Sequence, residues 1–111
     1  VSQVRVYKNG DSYEGRIVWL ENPNDEKGNP YYDVNNPDPE LRTVRADQIV
    51  IVRGLTYNPK KKMWADGTIY NPVGGKTFGV QASFDSPDKL KVRGYMGTPM
   101  MGKNFIWEKL E

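Results

Sequence analysis

The sequence predicts an all-β domain, an antiparallel meander, barrel or sandwich of about seven strands. Two observations carry this reading. Short segments alternate apolar and polar residues with period two, and the 11 Gly and 8 Pro of the 111 residues fall between those segments and leave little room for helix. The length fits one domain, spanning 1–111, with no internal repeat and no second core.

Each element follows in order. Ser2 to Lys8 alternates, with Val4 and Val6 on one face and Gln3, Arg5 and Tyr7 on the other, and Asn9-Gly10 supplies residues that tolerate a positive φ in a tight hairpin turn. Ser12 to Leu20 returns. Tyr13, Gly15, Ile17 and Trp19 are expected on one face of it, while Val18 and Leu20 make its far end apolar on both sides, as for a strand entering a closed interior. Glu21 to Asp47 packs turn formers (Asn22-Pro23-Asn24-Asp25, Gly28-Asn29-Pro30, Asn35-Asn36-Pro37-Asp38-Pro39) too densely for a strand to persist. It reads as one long polar loop that folds on itself, with a single helical turn near Leu41. The β pattern resumes at Ile49 to Leu55 and turns through Asn58-Pro59 and Lys60-Lys61-Lys62, a solvated hairpin tip. It then continues through Met63 to Tyr70, Thr77 to Phe84, Lys89 to Met96 and Asn104 to Leu110.

Composition excludes several classes. No apolar run exceeds four residues (Ile17 to Leu20, Ile49 to Val52), far short of the roughly twenty that a membrane-crossing helix needs. Sixteen basic residues against fourteen acidic ones leave a net charge of +2, which implies no nucleic-acid partner. Cysteine and histidine are both absent, which removes the thiol nucleophile, the usual general base and the commonest zinc ligand. The chain opens on Val1 without a signal-like stretch, as expected of a processed or trimmed chain.

The run Trp64-Ala65-Asp66-Gly67-Thr68-Ile69-Tyr70-Asn71-Pro72, followed by Gly75-Lys76-Thr77-Phe78, Leu90-Lys91-Val92-Arg93-Gly94-Tyr95, Gly102 and Trp107, resembles the bacterial domain of unknown function 2147 family. Upstream, Gly15 to Leu20, Asn22 to Asp25, Gly28, Pro30, Asp33, Asn35 to Asp38, Leu41-Arg42 and Arg53-Gly54-Leu55 are similar to that family's second strand, long loop and next strand. The resemblance implies an antiparallel up-and-down β-barrel, lipocalin-like or fatty-acid-binding-like. It also implies an exported bacterial protein, secreted or periplasmic, with no established activity. Two departures stand out. The family's first strand, with its Gly-x-Trp pattern, has no counterpart here: either the barrel lacks that strand in this chain or the residues that carry it are absent from this sequence. Arg45-Ala46-Asp47-Gln48 replaces the family's Pro- and Gly-containing loop exit.

A barrel of about eight strands has room for packed side chains or for one small ligand. Arg53 and Arg93 each lie in an apolar strand beside a glycine, where an internal cation would need an anionic partner such as a ligand carboxylate. Alternatively they are solvated, or paired with Glu14 or Glu108. Trp19, Tyr70, Tyr95 and Trp107 either line an apolar pocket or pack as plain core. Met96, Met100 and Met101 either form an adaptable mouth or fill gaps beneath a loose connector. The loop's Asp25, Glu26, Asp33, Asn35, Asn36, Asp38 and Glu40 are oxygen donors of the kind calcium prefers, but their spacing departs from the EF-hand and Asx-turns account for them.

No cofactor or metal is therefore expected. The functional expectation is a non-enzymatic binding module of the bacterial envelope for a small apolar or fatty-acid-like ligand with an acidic head, the head meeting Arg53 or Arg93. Two alternatives remain: a structural or protein-interaction barrel that docks through the long loop, and a hydrolase built on Asp25, Asp33 or Asp38.

Overall fold

The alternating segments become one antiparallel sheet in the computed structural model, which describes residues 2–110. Its strands are β1 (Ser2–Asn9), β2 (Ser12–Leu20), β3 (Val50–Asn58), β4 (Met63–Asn71), β5 (Lys76–Ser86), β6 (Lys89–Tyr95) and β7 (Gly102–Glu108). They lie side by side in chain order, the up-and-down topology that short hairpin links produce. Six antiparallel steps leave β1 and β7 running in the same direction, so the two could join only as a parallel pair. Among the described residues they do not pair, and the sheet is a half-barrel.

Openness shows in the dimensions. The accessible surface is 8056 Å², against about 6,200 Å² expected for a compact monomer of this mass. The radius of gyration is 14.5 Å, against about 13 Å for a close-packed chain of this length.

Register sorts the side chains into two faces. Pairings Gly15↔Val52, Val52↔Ile69, Ile69↔Phe78, Ala82↔Val92 and Val92↔Phe105 put these residues on one apolar face. Val52, Leu55, Val80, Ala82 and Val92 form its buried centre, with Tyr13, Trp64, Ile69, Leu90 and Trp107 packed against them. The sheet curls toward this face. Tyr13 on β2 meets Trp64 on β4 edge-to-face at 6.1 Å, across the intervening β3, and Tyr57 and Phe84 flank the same indole at 4.8 and 5.6 Å.

Two glycines make the curl possible. Gly54, at φ +72°, inserts an extra residue, so that both Val52 and Leu55, three apart, are buried on the apolar face. At Gly67 a β-carbon would stand 2.8 Å from Leu55 Cγ and 2.9 Å from the Arg53 carbonyl oxygen, so only glycine lets β4 approach β3 this closely.

One expected face is corrected. Gln3 pairs with Trp19 while Val4 pairs with Ile17, so Val18 is an extra residue that turns Trp19 away from Gly15 and Ile17. The first hairpin turns at Gly10-Asp11, with Gly10 at φ +63°, one residue later than Asn9-Gly10. The helical turn near Leu41 is a 3-10 turn over Pro39–Leu41, and a second over Ala46–Gln48 ends the loop.

Close packing at Gly67 has a measurable consequence. Gly67→Ala should lower stability by about 1–3 kcal/mol in urea unfolding, the usual cost of overpacking. Gly74→Ala, with nothing within 4 Å of its added carbon, should stay within about 0.5 kcal/mol of the parent.

Candidate functional site

The long loop is built from its own side chains. Asp25 accepts the backbone N–H groups of Lys27 and Asn29, each at 2.9 Å, Asn36 Oδ1 accepts that of Asp38 at 2.8 Å, and Asp38 caps the Pro39–Leu41 turn by accepting Glu40 N–H at 3.0 Å. These are the Asx-turns that the sequence composition favours. Backbone pairing of Tyr32 with Arg45 and a 2.9 Å bond from Asp33 N–H to Val44 O fold the loop into a hairpin-like flap.

Four contacts clip this flap onto the sheet. Tyr70, near the end of β4, donates its hydroxyl to Asp33 Oδ1 at 2.7 Å. Asn35 Nδ2 donates to Val73 O at 2.9 Å in the β4–β5 turn, and Asn35 O presses against Gly75, where a β-carbon would collide with it. At the loop's exit Ile17 N–H donates to Ile49 O at 2.8 Å.

Asp33 is 2% exposed, the buried charged side chain among the described residues. Its other oxygen accepts from Asn36 Nδ2 at 2.8 Å, so both carboxylate oxygens have a donor, as a buried charge requires. Burial, and then the hydrogen bond to Asp33, push the Tyr70 phenol up to about 12.

Beneath the flap lies a cleft of about 450 Å³, within the range of small-molecule sites. Its lining includes the aliphatic side chains of Leu41, Val44, Ile49, Val50 and Ile51. Beside them are Arg16, Arg53, Thr68, Tyr70 and Thr77 from the sheet, with Asp33, Asn36 and Asp38 contributed by the flap.

Arg53 stands opposite Thr68, 58% exposed, with Nη1 3.6 Å from Glu14 Oε2. Glu14 also accepts from Tyr7 OH at 2.8 Å, a bond that holds its carboxyl below the usual carboxylate range and raises the Tyr7 phenol. A single long, exposed ion pair is weak, and most of the guanidinium's donors remain available. Arg16 has no carboxylate partner among the described residues.

Of the six ligand-contact residues expected from sequence, the structure brings Arg53 and Tyr70 to this cleft, where the loop's Asp33, Asn36 and Asp38 join them. Arg93 lies on the polar face of β6, where Nε donates to Pro99 O at 2.6 Å, Nη1 to Asn104 Oδ1 at 2.9 Å and Nη2 to Met100 O at 3.5 Å. There it lines a separate, smaller groove of about 230 Å³ with Gln81, Ser83 and Lys91. Trp19 is 44% exposed, Trp107 packs against the core cluster, and the Tyr95 ring lies over Gly79 on the polar face. Trp19, Tyr95 and Trp107 line neither cavity.

Arg16 and the aliphatic lining are not among the sequence candidates. Arg16 carried the same signal as Arg53, a cation beside a glycine in an apolar strand, in the pair Gly15-Arg16. Of the two readings of the Met connector, gap filling does not hold: Met96, Met100 and Met101 stand 68%, 90% and 74% exposed.

A meander of antiparallel strands curled around an apolar face, with a long loop clipped across its polar face, is a lipocalin-like architecture. The chain belongs to the family described as "Uncharacterized protein conserved in bacteria (DUF2147)", whose profile matches residues 1–109. Among solved structures it is similar to the protein HP1028 of Helicobacter pylori, described as a member of the lipocalin family. That likeness has 25% identity and a TM-score of 0.78, and covers 97% of this chain and 71% of that one. No curated protein matches the chain.

The Tyr70–Asp33 contact sets an alkaline limit on stability. Because the folded value of about 12 lies above the ordinary 10.0, the contact contributes in full below about pH 10 and is lost as pH rises toward 12. Tyr70→Phe should cost about 1.5–3 kcal/mol in urea unfolding at neutral pH, the range for a hydrogen bond to a charged group. It should also flatten the stability decline between pH 10 and 12.

Proposed function

We propose that this protein is a non-enzymatic small-molecule binding module of the bacterial envelope, and that it seats an apolar ligand with an acidic head in the cleft beneath the long loop. The observation that carries the reading is the cleft's mixed lining: aliphatic side chains together with two arginines, Arg53 only weakly paired and Arg16 without a carboxylate partner among the described residues. Burial of an alkyl chain against Leu41, Val44, Ile49 and Val50 supplies affinity at about 25 cal/mol per Å². The guanidinium fork sets orientation by bidentate contact with a carboxylate.

The lipocalin-like fold supports a binding role, and the envelope placement rests on the resemblance to exported bacterial proteins. The carboxylates weighed as catalytic groups are occupied otherwise: Asp33 by Tyr70 and Asn36, Asp25 and Asp38 by backbone amides.

Titration calorimetry with a medium-chain saturated carboxylate, and with the corresponding alcohol, tests the reading. The carboxylate should bind saturably and the alcohol more weakly. Arg53→Met should weaken the carboxylate by about 10- to 150-fold, equivalent to roughly 1.5–3 kcal/mol, while Arg93→Met leaves it unchanged. Absence of a saturable carboxylate response would overturn the proposal, as would equal binding of the alcohol.

A second reading, docking of a partner protein on the loop, is favoured by one observation: Tyr31, Tyr32 and Val34, close in sequence on the flap, are each exposed. Replacing all three by Ser separates the readings, since cleft binding survives that change and a docking role does not.

A further inference from the structure

We infer that the connector between β6 and β7 is a thioether site for a soft monovalent cation, copper(I) in chemical class. Three of the chain's four methionines fall within six residues, Met96 to Met101. All three are well over half exposed, although methionine is ordinarily a buried residue. Neither the apolar core nor the cleft uses them.

The backbone brings the roots of these side chains close together. Met96 N–H donates to Met101 O at 3.3 Å, Thr98 N–H to Met96 O at 2.9 Å and Met101 N–H to Thr98 O at 3.0 Å, so the six residues close into a small ring. The Met96–Met101 bond follows directly on the last β6–β7 ladder pair, Tyr95↔Gly102, so Met96 and Met101 are rooted opposite each other, and Met100 follows at the next-residue spacing of about 3.8 Å. Three flexible thioether arms rooted this closely can converge on one ion. Gly97, at φ +75°, makes the reversal, and Arg93 straps the ring to β6 through the carbonyls of Pro99 and Met100. The sulfurs are therefore presented on a closed loop rather than a free linker, which reduces the ordering cost of chelation.

The donor set selects the ion. Thioether sulfur is soft and neutral, and suits copper(I) over magnesium, calcium or zinc. The Arg93 guanidinium beside the ring disfavours hard cations held by charge alone, whereas a polarisable sulfur–metal bond depends less on local potential. With no histidine and no cysteine in the sequence, no stronger soft donor competes within the chain.

Silver(I), an air-stable probe of the same class, tests this in the full chain carrying carbon-13-labelled methionine methyls. One equivalent should saturate the shifts of Met96, Met100 and Met101 and leave Met63 in place, while zinc produces no response. Anaerobic copper(I), competed against a chromophoric chelator, should show the same stoichiometry. Each single Met→Leu change within the ring should weaken binding by about tenfold, and the triple change should abolish it with the β-sheet circular dichroism retained. Affinity should be flat between about pH 5 and 8, because thioethers carry no proton to lose. Lack of a saturable shift overturns the inference, and so does binding that persists in the triple variant or follows a carboxylate titration. If the triple variant fails to fold, the wild-type methyl shifts and the single variants decide.

Discussion

The buried Asp33 carboxylate is the constraint on which the arrangement of this molecule depends. A charge that is 2% exposed is tolerated only with its oxygens occupied, and the two donors come from different parts of the chain. Asn36 is three residues away, while Tyr70 is on β4, thirty-seven residues on. Satisfying this one group therefore joins the flap to the sheet. The asymmetry of buried hydrogen bonds makes the junction specific, since an unmade partner costs more than a made bond contributes. A flap docked in any other register would leave the carboxylate or the phenol unpaired.

The cleft is a consequence of that junction rather than of the barrel. Its floor is formed by β2 to β5 and its roof is the flap, so it exists only while the two are held together. On the other side of the sheet, the apolar face has collapsed around Trp64, Val80 and Ala82. Large rings meeting across an intervening strand supply the core that a single open sheet would otherwise lack. The division of labour is clear: the apolar face holds the sheet's curvature, and the polar face carries the arginines.

Two straps built on arginine chemistry differ in consequence. Arg93 directs three donors at the Pro99 and Met100 carbonyls and the Asn104 amide oxygen, and thereby ties down the β6–β7 connector. Arg53 makes one long contact to Glu14 and keeps its remaining donors toward the cleft. Identical local sequence, an arginine followed by glycine in a β-strand, leads to a structural clamp in one case and an available cation in the other. The difference lies in what the neighbouring segment offers: a short connector with free carbonyls beside Arg93, and an open cleft beside Arg53.

All seven strands, their order and most of their bounds were legible in the sequence, because period-two alternation and turn residues are local properties that the chain carries wherever it folds. Asx chemistry in the loop was legible for the same reason. The outward turn of Trp19 was not, since an extra residue at Val18 arises from pairing with β1 and leaves no mark in the alternation of β2 alone. Nor was the site. Tyr70, Arg53 and Asp33 were visible as separate candidates, but they and Leu41, Val44 and Ile49 come together only through contacts spanning tens of residues. Whether the arginine-bearing face looks into a barrel or out beneath a flap is settled by where the long loop docks. The sequence by itself determined the alternation, the turns and the chemistry available; the tertiary structure decided which face each residue serves, because long-range hydrogen bonds and sheet curvature depend on partners that no local pattern encodes.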